Sequence, residues 1–220
     1  MIDRQTFDFL KDLVKNNNRD WFMANKERHD QARENVIAFA GELIKELSKI
    51  DPDIDVNLDP KKCVMRIYRD IRFSLDKTPY KNNFGIGKLN SGKGILASGY
   101  YMHIQPGGSF IAGGSWMPEN DQLKAIRQEI DYNPGAIKSI IDADEFKELF
   151  GDFRKQEQLK TIPRDYSADN ENIELLKLKS FVAAHNLTDK ELMDGGAVKK
   201  IAAICGKIYP LNVFLNNAIA

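Results

Sequence analysis

The chain has 220 residues, of which 42% are hydrophobic and 29% are charged. This composition is that of an ordinary globular protein, and it excludes a disordered, collagen-like or low-complexity chain. The 32 basic and 32 acidic residues cancel to a formal net charge of zero, which excludes binding of polyanions through overall charge alone. The length suffices to bury a core without metal ions or disulfides, and we predict a single domain over residues 1–220.

The N-terminal residues run directly into a charged amphipathic stretch, so we expect no secretory signal. No segment approaches the ~18 apolar residues of a membrane helix, and we expect no membrane partner. The two cysteines, Cys63 and Cys205, belong to no CxxC or CxxH pattern. We therefore predict neither a disulfide nor a metal site, and no cofactor. A reducing cytoplasm is the expected compartment.

The N-terminal part of the chain has apolar residues at helical spacing. They predict one helix near residues 4–15 and a long helical region over residues 19–50, separated by three asparagines at 16–18. Asparagine side chains compete for backbone partners and favour helix starts. Residues 1–58 are therefore predicted to be helical.

The pattern changes after Pro60, where β-favouring residues replace the helical spacing. Four predicted strands follow, over residues 63–73, 83–89, 98–105 and 109–116. We expect a connecting loop at residues 90–94 and a tight turn at residues 106–108. Residues 60–118 are thus predicted to form an antiparallel meander sheet of about four or more strands.

Helices return after Glu119, and residues 172–178 also look helical, whereas residues 180–187 have a mixed pattern. Thr188 and Glu191 match a capping box, and Pro210 is expected to kink or restart the last helix. Residues 119–220 are therefore predicted to be mainly helical. Helices, then a meander sheet, then more helices predict an α+β fold.

Charge is distributed unevenly along this neutral chain. Residues 60–118 carry nine basic side chains and only two carboxylates, Asp70 and Asp76, so the predicted sheet region should have a positive potential. Three of the cations are arginines, Arg66, Arg69 and Arg72. An arginine side chain can hold phosphate or carboxylate by paired hydrogen bonds. In an extended strand, alternate residues would share one face: Arg66, Tyr68, Asp70 and Arg72.

These residues define a candidate site. We predict that the three arginines bind an anion and that Lys77 and Lys81 add positive charge. Tyr101 and His103 would lie on one strand face, where His103 is a candidate general acid or base. Asp70 is either a general base or the structural counter-ion of an arginine. The predicted ligand-binding residues are Arg66, Arg69, Arg72, Lys77, Tyr80, Lys81 and Tyr101, and the predicted catalytic residues are Asp70 and His103.

Residues 66–81, here called the arginine box, carry Arg66, then Arg69-Asp70, then Arg72-Phe73, then Asp76-Lys77 and Tyr80. This pattern resembles the signature of domain-of-unknown-function family 2461, a family of bacterial conserved hypothetical proteins. Residues 17–22, 99–107 and 163–166 also resemble the family. The family pattern has glycine at the position of Asp165. The resemblance covers most of the chain and implies no activity, but it makes the arginine box the leading site.

Three functions follow from these patterns. The first is a basic pocket that binds a small ligand bearing phosphate or carboxylate, with or without catalysis. The second is a single-stranded nucleic-acid binding module, because aromatic residues are interspersed with the cations of the predicted sheet. The third is structural: the arginine box forms an internal Arg–Asp–Tyr network, and function lies in a partner surface. Neither enzymatic activity nor oligomeric state follows from the sequence.

Overall fold

The structure is a computed structural model that describes residues 1–89 and 98–220. Its N-terminal helices are α1 (Arg4–Lys15), α2 (Arg19–Ala24), α3 (Lys26–Leu47) and α4 (Pro60–Cys63). The predicted helix over residues 4–15 is confirmed, and the region predicted over 19–50 consists of two helices separated at Asn25. Asn18 begins α2 because its side chain accepts a hydrogen bond from the Trp21 backbone N–H at 3.0 Å.

Four strands form one antiparallel sheet in the order β1-β2-β3-β4. The strands are β1 (Phe84–Leu89), β2 (Gly99–Ile104), β3 (Ser109–Ser115) and β4 (Phe181–Leu187). The predicted tight turn between β2 and β3 is present: the Gly108 N–H donates to the Gln105 carbonyl at 3.0 Å, and Gly107 has a φ of +69°. The loop predicted at residues 90–94 lies outside the described residues.

The strand predicted over residues 63–73 is wrong. Cys63 ends α4, and the residues after it make only isolated bridges, Val64 with Ile86 and Tyr68 with Tyr80. The physical reason is local competition: Asp70 accepts a hydrogen bond from a backbone N–H two residues ahead, as does Asp76, and such turns displace a strand ladder. The fourth strand is instead β4, in the stretch whose pattern was mixed.

The C-terminal helices follow the prediction in outline. They are α5 (Asn120–Tyr132), α6 (Pro134–Ile141), α7 (Asp144–Phe150), α8 (Ile173–Leu176), α9 (Asp189–Leu192) and α10 (Ala197–Ala218), with a short 3₁₀ helix at Phe153–Lys155. The predicted capping box begins α9, because the Thr188 hydroxyl accepts from the Glu191 N–H at 3.2 Å and Glu191 accepts from the Thr188 N–H at 2.7 Å. Pro210 lies inside α10, so the helix does not restart there.

The chain folds into two compact units. The first comprises Met1–Leu89, Tyr101–Ile111 and Asn186–Ala203, and the described residues of the second are 98–100, Ala112–His185 and Ile204–Ala220. In the first unit α1 packs on α3, and the largest fully buried side chains there include Phe7, Phe39 and Phe84. This core supports the arginine box, which belongs to the first unit. No helix in the described ranges is long and apolar enough to cross a bilayer.

Candidate functional site

The arginine box folds back on itself as a loop. Tyr68 and Tyr80 form an antiparallel bridge at its base. On either side of that bridge, the Arg69 N–H donates to the Pro79 carbonyl at 3.0 Å and the Lys81 N–H donates to the Ile67 carbonyl at 2.7 Å. The loop is therefore closed by backbone hydrogen bonds, and residues 70–78 form its outer part.

Arg69 supports the interior of this loop. Its guanidinium donates to the Asp76 carboxylate and the Thr78 hydroxyl, and at 3.3 Å to the Ser74 hydroxyl. Asp76 also accepts from the Thr78 backbone N–H at 2.9 Å. That backbone hydrogen bond, followed by the one from Arg69, holds the pKa of Asp76 below its usual value. One predicted ligand-binding arginine is thus already engaged by a carboxylate of its own loop.

Arg72 is engaged in the same way by Asp70. Its Nε donates to Asp70 Oδ1 at 3.0 Å and its Nη2 donates to Oδ2 at 2.6 Å, a two-point pairing. These hydrogen bonds lower the pKa of Asp70 and raise that of Arg72. Lys77 Nζ donates to the Ile71 carbonyl at 2.9 Å. Both oxygens of Asp70 accept hydrogen bonds from Arg72, an arrangement that fits the role of structural counter-ion to an arginine.

Arg66 and Lys81 differ from these cations. Among the described residues, neither makes an ion pair or a side-chain hydrogen bond. Lys81 is half-buried, and burial, followed by the nearby charge of Arg66, lowers the pKa of its ammonium group. Arg69 and Arg72 thus have ion-pair partners, whereas Arg66 acts on Asp70 and on Lys81 through its charge without a described ion pair. Among the described residues of the arginine box, Arg66 and Lys81 are the cations without an ion pair or a side-chain hydrogen bond.

A cleft of about 440 Å³, here called the box cleft, opens beside the loop. Arg69, Tyr80 and Lys81 line it, and they are the predicted ligand-binding residues that the cleft brings together. Five further polar residues line the cleft: Asn17, Asp76, Thr78, Asn82 and Asn83. Asn82 and Asn83 were missed by sequence reasoning, although their position directly after the box was a usable signal.

Tyr80 anchors the base of the loop. Its ring is 4% exposed and stacks on Phe22 with centroids 4.0 Å apart and planes at 16°. Asn17 holds its backbone through two hydrogen bonds, one in each direction, at 2.9 and 3.1 Å. Burial raises the pKa of the Tyr80 hydroxyl. Packing is therefore its evident role.

Tyr101 and His103 share one face of β2, as predicted, and do not line the box cleft. The Tyr101 hydroxyl lies 3.0 Å from His103 Nδ1, and His103 Nε2 lies 3.0 Å from Gln105 Oε1. A Cβ added at Gly85 would lie 2.9 Å from the Tyr101 hydroxyl. The bare face of β1 is thus covered by the Tyr101 ring, and burial raises the pKa of that tyrosine.

Within the described residues, no group of three or more His, Cys, Asp or Glu side chains is placed to hold a metal ion. Cys63 and Cys205 are buried and unbridged. Burial raises the pKa of the Cys205 thiol, which makes it an unreactive core residue.

The motifs that carry the resemblance occupy defined places. Residues 17–22 meet the arginine box through Asn17 and Phe22, and residues 163–166 lie in the second unit. Residues 5–214 match family DUF2461, described as conserved hypothetical proteins. The chain belongs to this family. Comparisons with curated proteins and with solved structures gave no match. Membership in DUF2461 confirms the resemblance over nearly the whole chain.

Proposed function

We propose that this DUF2461 member is a cytoplasmic protein that binds a small ligand bearing phosphate or carboxylate in the box cleft. One observation carries the proposal: Lys81 is half-buried beside the charge of Arg66, and neither cation makes an ion pair within the described residues. A partly desolvated ammonium group near a second cation costs free energy unless a negative charge compensates it. A bound anion would supply that charge.

The other cations of the box contribute less to such a site. Arg69 and Arg72 already have carboxylate partners, and Lys77 is held by a carbonyl. Asp70 and His103 remain predictions as catalytic residues, and neither lines the box cleft. The proposal is therefore one of binding, with Lys81 in the cleft wall as the anion-binding residue and Arg66, which does not line the cleft, adding positive charge beside it.

Titration calorimetry at low salt, with inorganic phosphate as the probe, tests the proposal. We expect Lys81→Gln to weaken phosphate binding by about tenfold or more, since it removes a direct charge partner, and Arg66→Gln to weaken it less, since Arg66 contributes charge from outside the cleft lining. Arg72→Gln is the matched control, because Asp70 already holds that guanidinium, and it should change affinity by less than about twofold. Equal affinity in wild type and a folded Arg66→Gln/Lys81→Gln double variant would overturn the proposal.

Thermal melts of the same variants provide a second readout. Because two unpaired cations repel each other, Lys81→Gln should leave the melting temperature unchanged or raise it. Residues kept for binding rather than for stability behave in this way. A clear fall in melting temperature would indicate that Lys81 supports the fold instead.

A specific observation favours the structural alternative for the rest of the box. The Arg69 and Arg72 networks shape a loop whose side chains at Phe73 and Leu75 are 95% and 102% exposed. Exposed apolar groups on a braced loop suit a contact with a partner. Melts of Arg69→Ala and Asp70→Asn test whether the network is structural, and unchanged melts in both would count against it.

The single-stranded nucleic-acid alternative stays a prediction. Phe73 is free to stack, and the Arg72 guanidinium lies 5.9 Å from its ring centroid. Binding to a single strand that weakens steeply with salt would support this alternative, whereas no gel shift at low salt would remove it.

A further inference from the structure

Most of the side chains that line the box cleft are polar, in addition to its cations. Of the described residues that line it, Val14 is the one aliphatic side chain, and amide, hydroxyl, carboxylate and cationic groups make up most of the rest. Pockets for apolar or flat aromatic ligands are lined mainly by apolar side chains. A ligand that fills this cleft must therefore be hydrophilic over its whole length, and not only at its charged end.

Asn82 and Asn83 form a donor–acceptor pair on one wall. Asn83 Nδ2 donates to Asn82 Oδ1 at 3.3 Å. Within the described ranges, no other hydrogen bond engages either amide, so Asn82 Nδ2 and Asn83 Oδ1 keep free hydrogen-bonding capacity. A hydroxyl group both donates and accepts, and an adjacent donor and acceptor match that capacity.

Asp76 adds an acceptor to the same cleft. Its carboxylate receives hydrogen bonds from Arg69, from the Thr78 hydroxyl and from the Thr78 N–H, and a carboxylate has about four acceptor positions. Its lowered pKa keeps it negatively charged near neutral pH, so it repels an anion and attracts a hydroxyl donor. The cleft therefore has a cationic end at Lys81 and hydroxyl-binding groups elsewhere.

We infer that the ligand of the box cleft is a polyhydroxylated anion, of the class of sugar phosphates and sugar acids. Its phosphate or carboxylate would bind Lys81, with Arg66 adding positive charge from outside the cleft lining, and its hydroxyls would bind Asp76, Asn82 and Asn83. The cleft volume of about 440 Å³ falls within the range of small-molecule sites. This inference rests on the proposed function, since it specifies the ligand of the same site.

Calorimetric titrations of the full chain with five probes test the inference. The probes are inorganic phosphate, phenyl phosphate, glucose 6-phosphate, gluconate and glucose. We expect glucose 6-phosphate or gluconate to bind about tenfold more tightly than inorganic phosphate or phenyl phosphate, because only these two carry both an anion and hydroxyls. The two hydroxylated probes distinguish a phosphate source of the charge from a carboxylate source.

An Asn82→Ala/Asn83→Ala variant supplies the second arm, with Asn16→Ala as the matched control outside the cleft. The double variant should lose the preference for the hydroxylated probe and keep its affinity for inorganic phosphate, whereas the control should keep both. Melts of both variants report whether they fold, and the wild-type comparison among probes stands even if the double variant does not.

The possible results distinguish the inference of a polyhydroxylated ligand from the proposed binding of an anion. If phosphate binds but the hydroxylated probes bind no more tightly than phenyl phosphate, the inference fails and the proposed function stands. If no anionic probe binds the wild-type chain, the proposed function fails and the inference fails with it. Equal losses for phosphate and glucose 6-phosphate in the folded double variant would also overturn the inference.

Discussion

Asn17 and Tyr80 are joined by two hydrogen bonds, although 63 positions separate them in sequence. Asn17 Nδ2 donates to the Tyr80 carbonyl at 2.9 Å, and the Tyr80 N–H donates to Asn17 Oδ1 at 3.1 Å. The Tyr80 ring also stacks on Phe22. The Asn17 side chain thus pairs with the Tyr80 backbone as a neighbouring strand would. This pairing connects two of the segments that carry the family resemblance. It also places the box cleft against the N-terminal helices.

Replacing Asn17 should therefore destabilise the protein. We expect Asn17→Ala to lower the free energy of unfolding by about 1–3 kcal/mol, because it leaves the Tyr80 backbone groups without their partners. Urea denaturation measures the change. Asn16→Ala is the comparison, since Asn16 makes only a local hydrogen bond to the Asp12 carbonyl, and its loss should be smaller. Equal losses in the two variants would contradict this account.

The two carboxylate-bound arginines should differ in their effect on stability. The Arg69 side chain is 24% exposed and donates hydrogen bonds to three residues, whereas the Arg72 side chain is 76% exposed and, within the described residues, donates hydrogen bonds to Asp70 alone. We expect Arg69→Ala to lower the melting temperature by about 2–4 °C. Arg72→Ala should leave it nearly unchanged, because exposed ion pairs contribute little. A larger fall for Arg72→Ala would show that this ranking is wrong.

His29 should make stability depend on pH. It is 8% exposed and packs against Phe9, Phe22 and Phe84. Its buried Nε2 has no hydrogen-bond partner among the residues that the structure describes. Burial is the main reason that its pKa lies below the ordinary value of 6.5, although Asp30 opposes the shift. Lys26 and Arg33 also lower it, and the packed elements α1, α2 and β1 present aromatic rings to it.

The direction of the pH dependence follows from whether the folded or the unfolded chain binds the proton of His29 first as the pH falls. Above pH 6.5 the imidazole is neutral in both states, and its contribution to stability is complete. As the pH falls below that value, the unfolded chain takes up the proton first, so stability is lost by up to about 1.4 kcal/mol per pH unit until the folded chain is protonated too. Denaturation at pH 8 and at pH 5.5 measures this, and His29→Phe should flatten the dependence. An unchanged pH profile in that variant would exclude His29 as its source.

Asp165 occupies a backbone conformation that favours glycine. Its φ is +74° and its side chain is exposed, at the position where the resemblance led us to expect glycine. We expect Asp165→Gly to raise the free energy of unfolding by about 0.5 kcal/mol. Glycine removes the backbone strain of the folded state, but its greater flexibility in the unfolded chain offsets part of that gain. Asp165→Ala should lower the free energy of unfolding, since alanine tolerates the left-handed conformation less well than aspartate does. Thermal melts decide, and a stabilising Asp165→Ala would contradict the strain argument.

Prediction from sequence succeeded where the structural signal is local. The apolar spacing of α1, the turn at residues 106–108 and the capping box at Thr188 each depend on neighbours within a few positions. Prediction failed over residues 63–73, because a β-favouring composition carries no information about Asp70 and Asp76 turning back to bind their own backbone. The mixed pattern of residues 180–187 did not predict β4, a strand that pairs with β3 in the described sheet.

The features of the candidate site also divide into those that sequence predicted and those that depend on the tertiary structure. Sequence alone determined that positive charge concentrates in residues 60–118 and that the chain resembles its family, which the match over residues 5–214 confirms. Only the tertiary structure decided which cations are neutralised, because ion pairing depends on distances across turns that spacing does not encode. Those distances engage Arg69 and Arg72, leave Lys81 beside Arg66, and add Asn82 and Asn83 to the cleft wall.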